Sequence, residues 1–153
     1  MLTILFVCTG NTCRSPLAEA LLRHELQDRN PGFELSVISA GLSVYRGDSV
    51  AETVVKMLND EKIEIDAGRP AVQLNSDLVS EADLILTMTA NQLKQVAIRF
   101  PQAVSKVYLF KEYCGLGSGD LEDPFGKSPE NYRLVMEEIR VGVKNLMTKL
   151  EEG

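Results

Sequence analysis

Leu2-Thr3-Ile4-Leu5-Phe6-Val7, then Cys8-Thr9-Gly10-Asn11-Thr12-Cys13-Arg14-Ser15, then Pro16-Leu17-Ala18-Glu19-Ala20-Leu21-Leu22, is the stretch whose reading decides the architecture. The first six residues are short, apolar and rich in residues that suit strands, so they read as a strand buried on both faces. The last seven carry Pro16 where a helix tolerates proline best, Glu19 in the first turn, and apolar pairs at helical spacing, Leu17 with Leu21 and Ala18 with Leu22. Between them lies a short loop containing Gly10, with Ser15 placed to cap the helix. Strand, loop and helix therefore follow one another.

The same alternation continues downstream. Leu35 to Ala40 reads as a second strand, and Ser49 with Glu52 forms a capping box ahead of Ala51, Val54, Val55 and Leu58. Asp83 to Met88 is a third strand, and Thr89 with Gln92 makes another capping box before Leu93, Val96, Ala97 and Phe100. Lys106 to Phe110 is a fourth. In the last helix Ser128 caps, Pro129 is first, and Tyr132, Val135, Met136, Ile139, Val143, Leu146 and Leu150 share one face, with Gly142 a weak point at its middle. Strands alternating with helices indicate a parallel sheet covered on both faces. Such sheets bind ligands beyond the carboxyl ends of their strands, which directs attention to the loops there, Cys8 to Ser15 first.

Composition narrows the chemistry. A length of 153 residues suits one domain, and 22 acidic against 16 basic residues give a net charge of −6. That balance excludes a general polyanion surface, so nucleic acid is not an expected partner and any anion site must be local. There is one histidine, His24, and there are three cysteines, Cys8, Cys13 and Cys114. A structural zinc site wants four Cys or His ligands, and a Ser-His-Asp or Cys-His hydrolase would have to use His24, which sits mid-helix among polar neighbours. An odd cysteine count argues against a disulfide framework. Met1 to Val7 is too short for a signal sequence or a membrane span. The expectation is a reducing, cytoplasmic compartment, with no membrane partner.

The loop Cys8 to Ser15 has the makings of a nest for a phosphate-sized anion, built from its backbone N–H groups and the N-terminus of the following helix. Thr9, Gly10, Asn11, Thr12, Cys13 and Ser15 would form its wall, Gly10 letting the backbone come close. Cys8 lies at the base, where the helix dipole and the Arg14 guanidinium both favour the thiolate. A thiolate beneath a bound phosphate is a nucleophile. Arg14 can hold two phosphate oxygens by paired charge-assisted hydrogen bonds, and Ser15 can donate to the Cys8 sulfur. Phosphoryl transfer to Cys8 also needs a proton donor for the leaving group. Asp123, followed by Pro124 in the glycine-rich stretch after the fourth strand, fits better than Asp120 or Glu122. Phe125 and Tyr45 fall in loops at the same sheet end and could wall the pocket or simply pack. Cys13 could form a reversible bridge with Cys8 or be a small buried residue; Cys114 reads as packing.

These residues resemble the low-molecular-weight protein tyrosine phosphatase family along nearly the whole chain. The likeness is carried by Phe6 to Ala20, Ser39-Ala40-Gly41, Ala82 to Met88 and Asp123-Pro124, in order and spacing. It implies that Cys8 forms a phosphocysteine intermediate, that Arg14 clamps the phosphate, and that Asp123 is first general acid and then the base that activates water. It also implies that Asn11, Ser15 and Ser39 hold the loop rigid, with no metal or cofactor. Arg69 stands where family members often carry a histidine in the supporting network. Thr12 occupies a position that tyrosine phosphatases of the family usually fill with an apolar branched residue; with Asp-Pro-Phe at 123–125 it is most similar to bacterial protein arginine phosphatases. Thr12 and Phe125 are therefore the expected selectivity residues. Phosphotyrosine is the alternative substrate class. A phosphocysteine phosphotransfer protein, an arsenate reductase and a non-catalytic phosphate-binding domain are more remote readings. The expected architecture is α/β, a single domain over residues 1–153 with a four-stranded parallel sheet in the order 2-1-3-4 and helices on both faces. The expected partners are phosphorylated proteins, and the chain is expected to be monomeric.

Overall fold

A computed structural model describes residues 1–153. Strand β1 (Leu2–Cys8) lies inside a parallel sheet whose order is β2 (Leu35–Gly41), β1, β3 (Leu84–Thr87), β4 (Val107–Leu109). Val7 is paired with Ala40 on one side and Thr87 on the other. The carboxyl ends of the three strands are thus level, and Cys8 is at the edge of the shelf. The chain leaves β1 toward β2 and later returns to build β3 on the opposite side, which opens the crevice where sheets of this kind take their ligands.

Alternation along β1 divides the core in two. Ile4 and Phe6 pack with Leu17 and Leu21 of α1 (Arg14–Arg29), Val54 and Leu58 of α2 (Glu52–Asp60), and Ile139 and Val143 of α6 (Pro129–Glu152). Leu5 and Val7 face Val79 of α3 (Ser76–Glu81) and Val96 of α4 (Ala90–Arg99). Each of these fully buried side chains contributes about 1.5–3 kcal/mol by leaving water, so the strand carrying Cys8 is anchored from both faces. No helix is long and apolar enough to cross a membrane.

Several boundaries differ from the sequence reading. Helix α1 begins at Arg14 with Cys13 as its N-cap and no side-chain cap. Ser15 does not cap it, because its hydroxyl is engaged by Cys8 and Asn11. Pro16 is accordingly third rather than first, still where its missing N–H costs nothing. Glu19 falls in the second turn and is buried. Helix α2 starts from Ala51 without the expected Ser49 cap. Ser49 instead bridges to Pro70, and the Ala51 N–H donates to the Thr12 carbonyl at 2.9 Å, so a tertiary contact sets this helix start. The Thr89–Gln92 capping box and the Ser128 cap are present as expected. Strands β3 and β4 are shorter than expected, and Phe110 opens α5 (Phe110–Tyr113). Helices α3 and α5, of six and four residues, are too short to show a helical period.

Gly142 is a packing requirement rather than a weak point. A Cβ there would lie 2.6 Å from the ring of Phe110, which is fully buried, and 3.1 Å from Leu116. Gly142→Ala should gain about 1 kcal/mol of helix propensity and lose more, about 1–3 kcal/mol, to overpacking. A lower denaturant midpoint is the expected result; a higher one would show that the Phe110 ring yields.

Burial pushes the Cys114 thiol up to about 12, whereas an unfolded thiol ionises near about 8.5. Folding therefore favours the neutral form: this stabilisation is complete below the unfolded value and is lost as pH rises toward 12, at up to about 1.4 kcal/mol per pH unit. Denaturant unfolding at about pH 8 and about pH 10.5 should show a fall in stability that is about 2 kcal/mol smaller in Cys114→Ala. Equal falls in the two proteins would assign the alkaline loss to other groups.

Candidate active site

The loop after β1 is held by its carbonyls and leaves its N–H groups free. The carbonyls of Cys8, Thr9 and Thr12 accept from the N–H groups of Leu42, Ser43 and Ala51 at 3.0, 2.9 and 2.9 Å, and that of Cys13 accepts from Leu17 within α1. Of the backbone N–H groups from Thr9 to Ser15, the chain itself engages only that of Asn11, which donates to Cys8 Sγ at 3.2 Å. A loop whose oxygens are tied outward and whose donors are unspent is an anion nest, and the positive end of α1 reinforces it. Cys8 is buried, with Ser15 Oγ 2.9 Å from its sulfur.

Beneath the nest lies a fully partnered polar network. Asn11 donates through Nδ2 to Ser15 Oγ and Ser39 Oγ at 2.9 and 3.0 Å, and its Oδ1 accepts the Val72 N–H at 2.9 Å. Ser39 donates to Glu19 at 2.5 Å and accepts from Arg69 at 3.3 Å. The Glu19 carboxylate, itself buried, is paired with Arg23 at 2.8 Å and Arg69 at 3.6 Å. A buried carboxylate is costly unless paired and hydrogen-bonded, and here each requirement is met. Arg69 supplies the guanidinium at the position where the sequence reading expected a departure from histidine. From the opposite side Gln92 donates to Thr9 Oγ1 at 3.1 Å.

Above the nest is a cleft of about 180 Å³. Cys8, Arg14 and Asp123 line it together with Thr9, Gly10, Thr12 and Cys13. Arg14 is buried and donates through Nη1 to the Leu121 carbonyl at 2.9 Å; its Nη2 is 3.6 Å from Asp123 Oδ2. The Asp123 side chain is 55% exposed, so it can reach a group leaving from the mouth. Phe125 and Tyr45 both line the cleft, 71% and 78% exposed. Cys13 is buried with Sγ 3.9 Å from the Tyr132 hydroxyl, and burial raises its pKa against the lowering effect of hydrogen bonds from Thr12 and Tyr132. Burial thus favours the neutral thiol at Cys13. A larger cleft of about 480 Å³ lies along α1 beside His24; no cysteine lines it.

A family model described as low molecular weight phosphotyrosine protein phosphatase matches residues 3–153. The chain belongs to this family. It is 38% identical over 148 residues to a protein-arginine-phosphatase of Geobacillus stearothermophilus, covering 97% of this chain and 95% of the relative. It is also 39% identical over 141 residues to a probable low molecular weight protein-tyrosine-phosphatase, EpsP, of Ralstonia nicotianae, covering 92% and 90%. A solved mutant of YwlE arginine phosphatase, with a phosphorylated active site serine in place of cysteine, superimposes with a TM-score of 0.90 at 32% identity over 98% of this chain and 96% of that one.

Within this phosphatase family fold, every site residue expected from the sequence is gathered at one sheet end: Cys8, Thr9, Gly10, Thr12, Cys13, Arg14, Asp123 and Phe125 at the cleft, Asn11, Ser15 and Ser39 beneath it. Sequence reasoning missed Glu19 as a network member. Its signal was a lone charge within the apolar run Pro16 to Leu22. Ser43 and Asp48, which also line the cleft, carried no local pattern. Gly41 was legible only as part of a motif; a Cβ there would lie 2.7 Å from the Thr9 carbonyl oxygen and 2.9 Å from the Asn11 nitrogen. Gly41→Ala should therefore displace the loop. A displacement of about 1 Å costs roughly 100-fold in rate, so hydrolysis of para-nitrophenyl phosphate should fall by that order while the far-ultraviolet circular dichroism stays native. Undiminished hydrolysis would mean that the loop relaxes without cost.

Proposed function

We propose that this chain, as one catalytic domain over residues 1–153, removes phosphate from phosphoarginine on proteins through a phosphorylated Cys8. The observation that carries the reading is the set of free N–H groups from Thr9 to Ser15 around Cys8 Sγ, with Arg14 and Asp123 at the same cleft. In the first step the Cys8 thiolate attacks phosphorus, an S–P bond forms and the P–N bond breaks, and Asp123 gives its proton to the departing nitrogen. Arginine leaves as the guanidinium. Asn11 N–H and the Ser15 hydroxyl hold the sulfur, while the nest and Arg14 carry the charge of the equatorial oxygens. In the second step Asp123 takes a proton from water, whose oxygen attacks phosphorus; the S–P bond breaks and the thiolate and inorganic phosphate are restored.

The preference for arginine rests on Thr12 and Asp123. Thr12 presents a hydroxyl at the cleft wall, a polar edge that suits a guanidinium better than an aryl ring, and the protonated Asp123 carboxyl can accept a guanidinium N–H through its carbonyl oxygen while its O–H supplies the proton to the departing nitrogen. Phosphotyrosine is the second reading, favoured by the exposed aromatic walls Tyr45 and Phe125 and by the similarity to a tyrosine phosphatase relative. One chain carries the whole cleft, which supports action as a monomer, and three unpaired cysteines suit the cytoplasm.

Steady-state kinetics on phosphoarginine and phosphotyrosine peptides should give the larger kcat/KM for phosphoarginine. Equal or faster phosphotyrosine turnover would reverse the assignment. Thr12→Ile should shift the ratio roughly tenfold toward the aryl phosphate, and Cys8→Ser should abolish turnover. Stable phosphorylation of Cys8 without release of phosphate would favour a phosphotransfer role instead.

A further inference from the structure

Asp48 stands in the wall of the cleft that holds Cys8, on the loop between β2 and α2. Its backbone is pinned on both sides: its N–H donates to the Tyr45 carbonyl at 3.1 Å, and its carbonyl accepts the Ala71 N–H at 2.8 Å. The tight turn between Tyr45 and Asp48 needs Gly47, whose φ is +93°. Ser49 then bridges to Pro70. The backbone is therefore placed, while the carboxylate has no hydrogen bond or ion pair within the chain. Other aspartates on loops and strand ends are committed: Asp66, Asp83, Asp120 and Asp123 accept the N–H groups of Gly68, Thr3, Ala90 and Phe125.

An unpaired carboxylate at the mouth of a phosphate site opposes the binding of a dianion by itself. Arg14, the one cationic side chain lining the cleft, is buried at the floor and directed to Leu121 and Asp123. The neighbouring Arg46 makes no ion pair and is outside the lining. The arrangement becomes favourable when the group attached to phosphorus is a cation. A phosphorylated guanidinium with its phosphoryl group in the nest and its bridging nitrogen at Asp123 still carries N–H donors on its other two nitrogens, in one plane, a match for a carboxylate. A phenyl ring has none. Tyr45, in the same turn and also lining the cleft, offers a face on which a planar cation can stack.

We propose that Asp48 accepts the guanidinium N–H groups that Asp123 leaves free, and so selects phosphoarginine over aryl phosphates. This rests on the phosphoarginine reading above. In the full-length protein, Asp48→Asn should lower kcat/KM on a phosphoarginine peptide roughly two- to fivefold, the loss expected for one exposed charged contact. It should raise kcat/KM on para-nitrophenyl phosphate about twofold as the repulsion is removed. Asp48→Glu should recover most of the phosphoarginine activity. If wild type turns over phosphoarginine and Asp48→Asn leaves the ratio of the two substrates unchanged, or lowers both alike, the role of Asp48 is overturned alone. A wild-type protein inert on phosphoarginine overturns the substrate reading and Asp48 with it, so the two failures are told apart by the wild-type measurement.

Discussion

Asn11 is the constraint on which the site depends. Its φ of +55° turns the backbone into the left-handed region, where a non-glycine residue persists only with compensation and asparagine is among the few tolerated. The turn aims its N–H at the Cys8 sulfur, and the side chain repays the strain of about 1–3 kcal/mol with three hydrogen bonds, to Ser15, Ser39 and the Val72 N–H, each worth about 1 kcal/mol. One residue thereby joins the start of α1, the end of β2 and the segment after Gly68. Because that side chain holds the loop from behind, the loop's other N–H groups are not needed to hold it and stay available to an anion.

The support beneath Asn11 is charged as well as polar, which is an expensive way to build a floor. Glu19 is buried and stands only because Arg23 and Arg69 flank it and Ser39 donates to it. A guanidinium in this place, where a histidine was the family expectation, donates to Ser39 while Ser39 donates to Glu19, so the orientation of Ser39, and through it Asn11, is fixed from two sides. The same logic reconciles a net charge of −6 with anion binding: the positive potential is confined to Arg14, a helix terminus and a ring of backbone donors, where it is little screened by solvent.

What was legible in the sequence and what was not divides along physical lines. The alternation of strands and helices, the buried β1, the Ser128 and Thr89 caps and the apolar face of α6 follow from local pattern, which is visible in a single chain, whereas the sheet order was an expectation given with the family resemblance. The placement of Cys8, Arg14 and Asp123 at one sheet end follows from parallel topology, which brings the loops after strands to the same edge. The errors fall where a tertiary contact outbid a local preference. Ser15 and Ser49 are good caps by type, but Cys8 and Asn11 claim the first and the Pro70 bridge the second. Gly142 is a poor helix residue by propensity, retained because Phe110 occupies the space of a side chain. Asp48 could not be found at all, since its meaning comes from a cleft assembled out of three separate loops.

Recognition and chemistry are thereby carried by different parts of the fold. The floor, made of buried residues tied by hydrogen bonds in all directions, reads only a phosphoryl group, which phosphoarginine and phosphotyrosine share. Discrimination has to come from groups that see what is attached to phosphorus, and these are at the rim: Thr12, Tyr45, Asp48, Asp123 and Phe125. Large aromatic side chains left 71% and 78% exposed in the cleft that holds Cys8 contribute little to folding and are suited to be covered by a ligand. The rim side chains can also change without disturbing the floor, because the bonds that hold the nest run through backbone groups, among them the N–H groups of Leu42, Ser43 and Ala51, and through Asn11. A fold organised this way can keep one phosphoryl-transfer apparatus and alter its substrate by altering charge at the mouth, since the groups at the mouth face what is attached to phosphorus and the thiol beneath them faces only phosphorus.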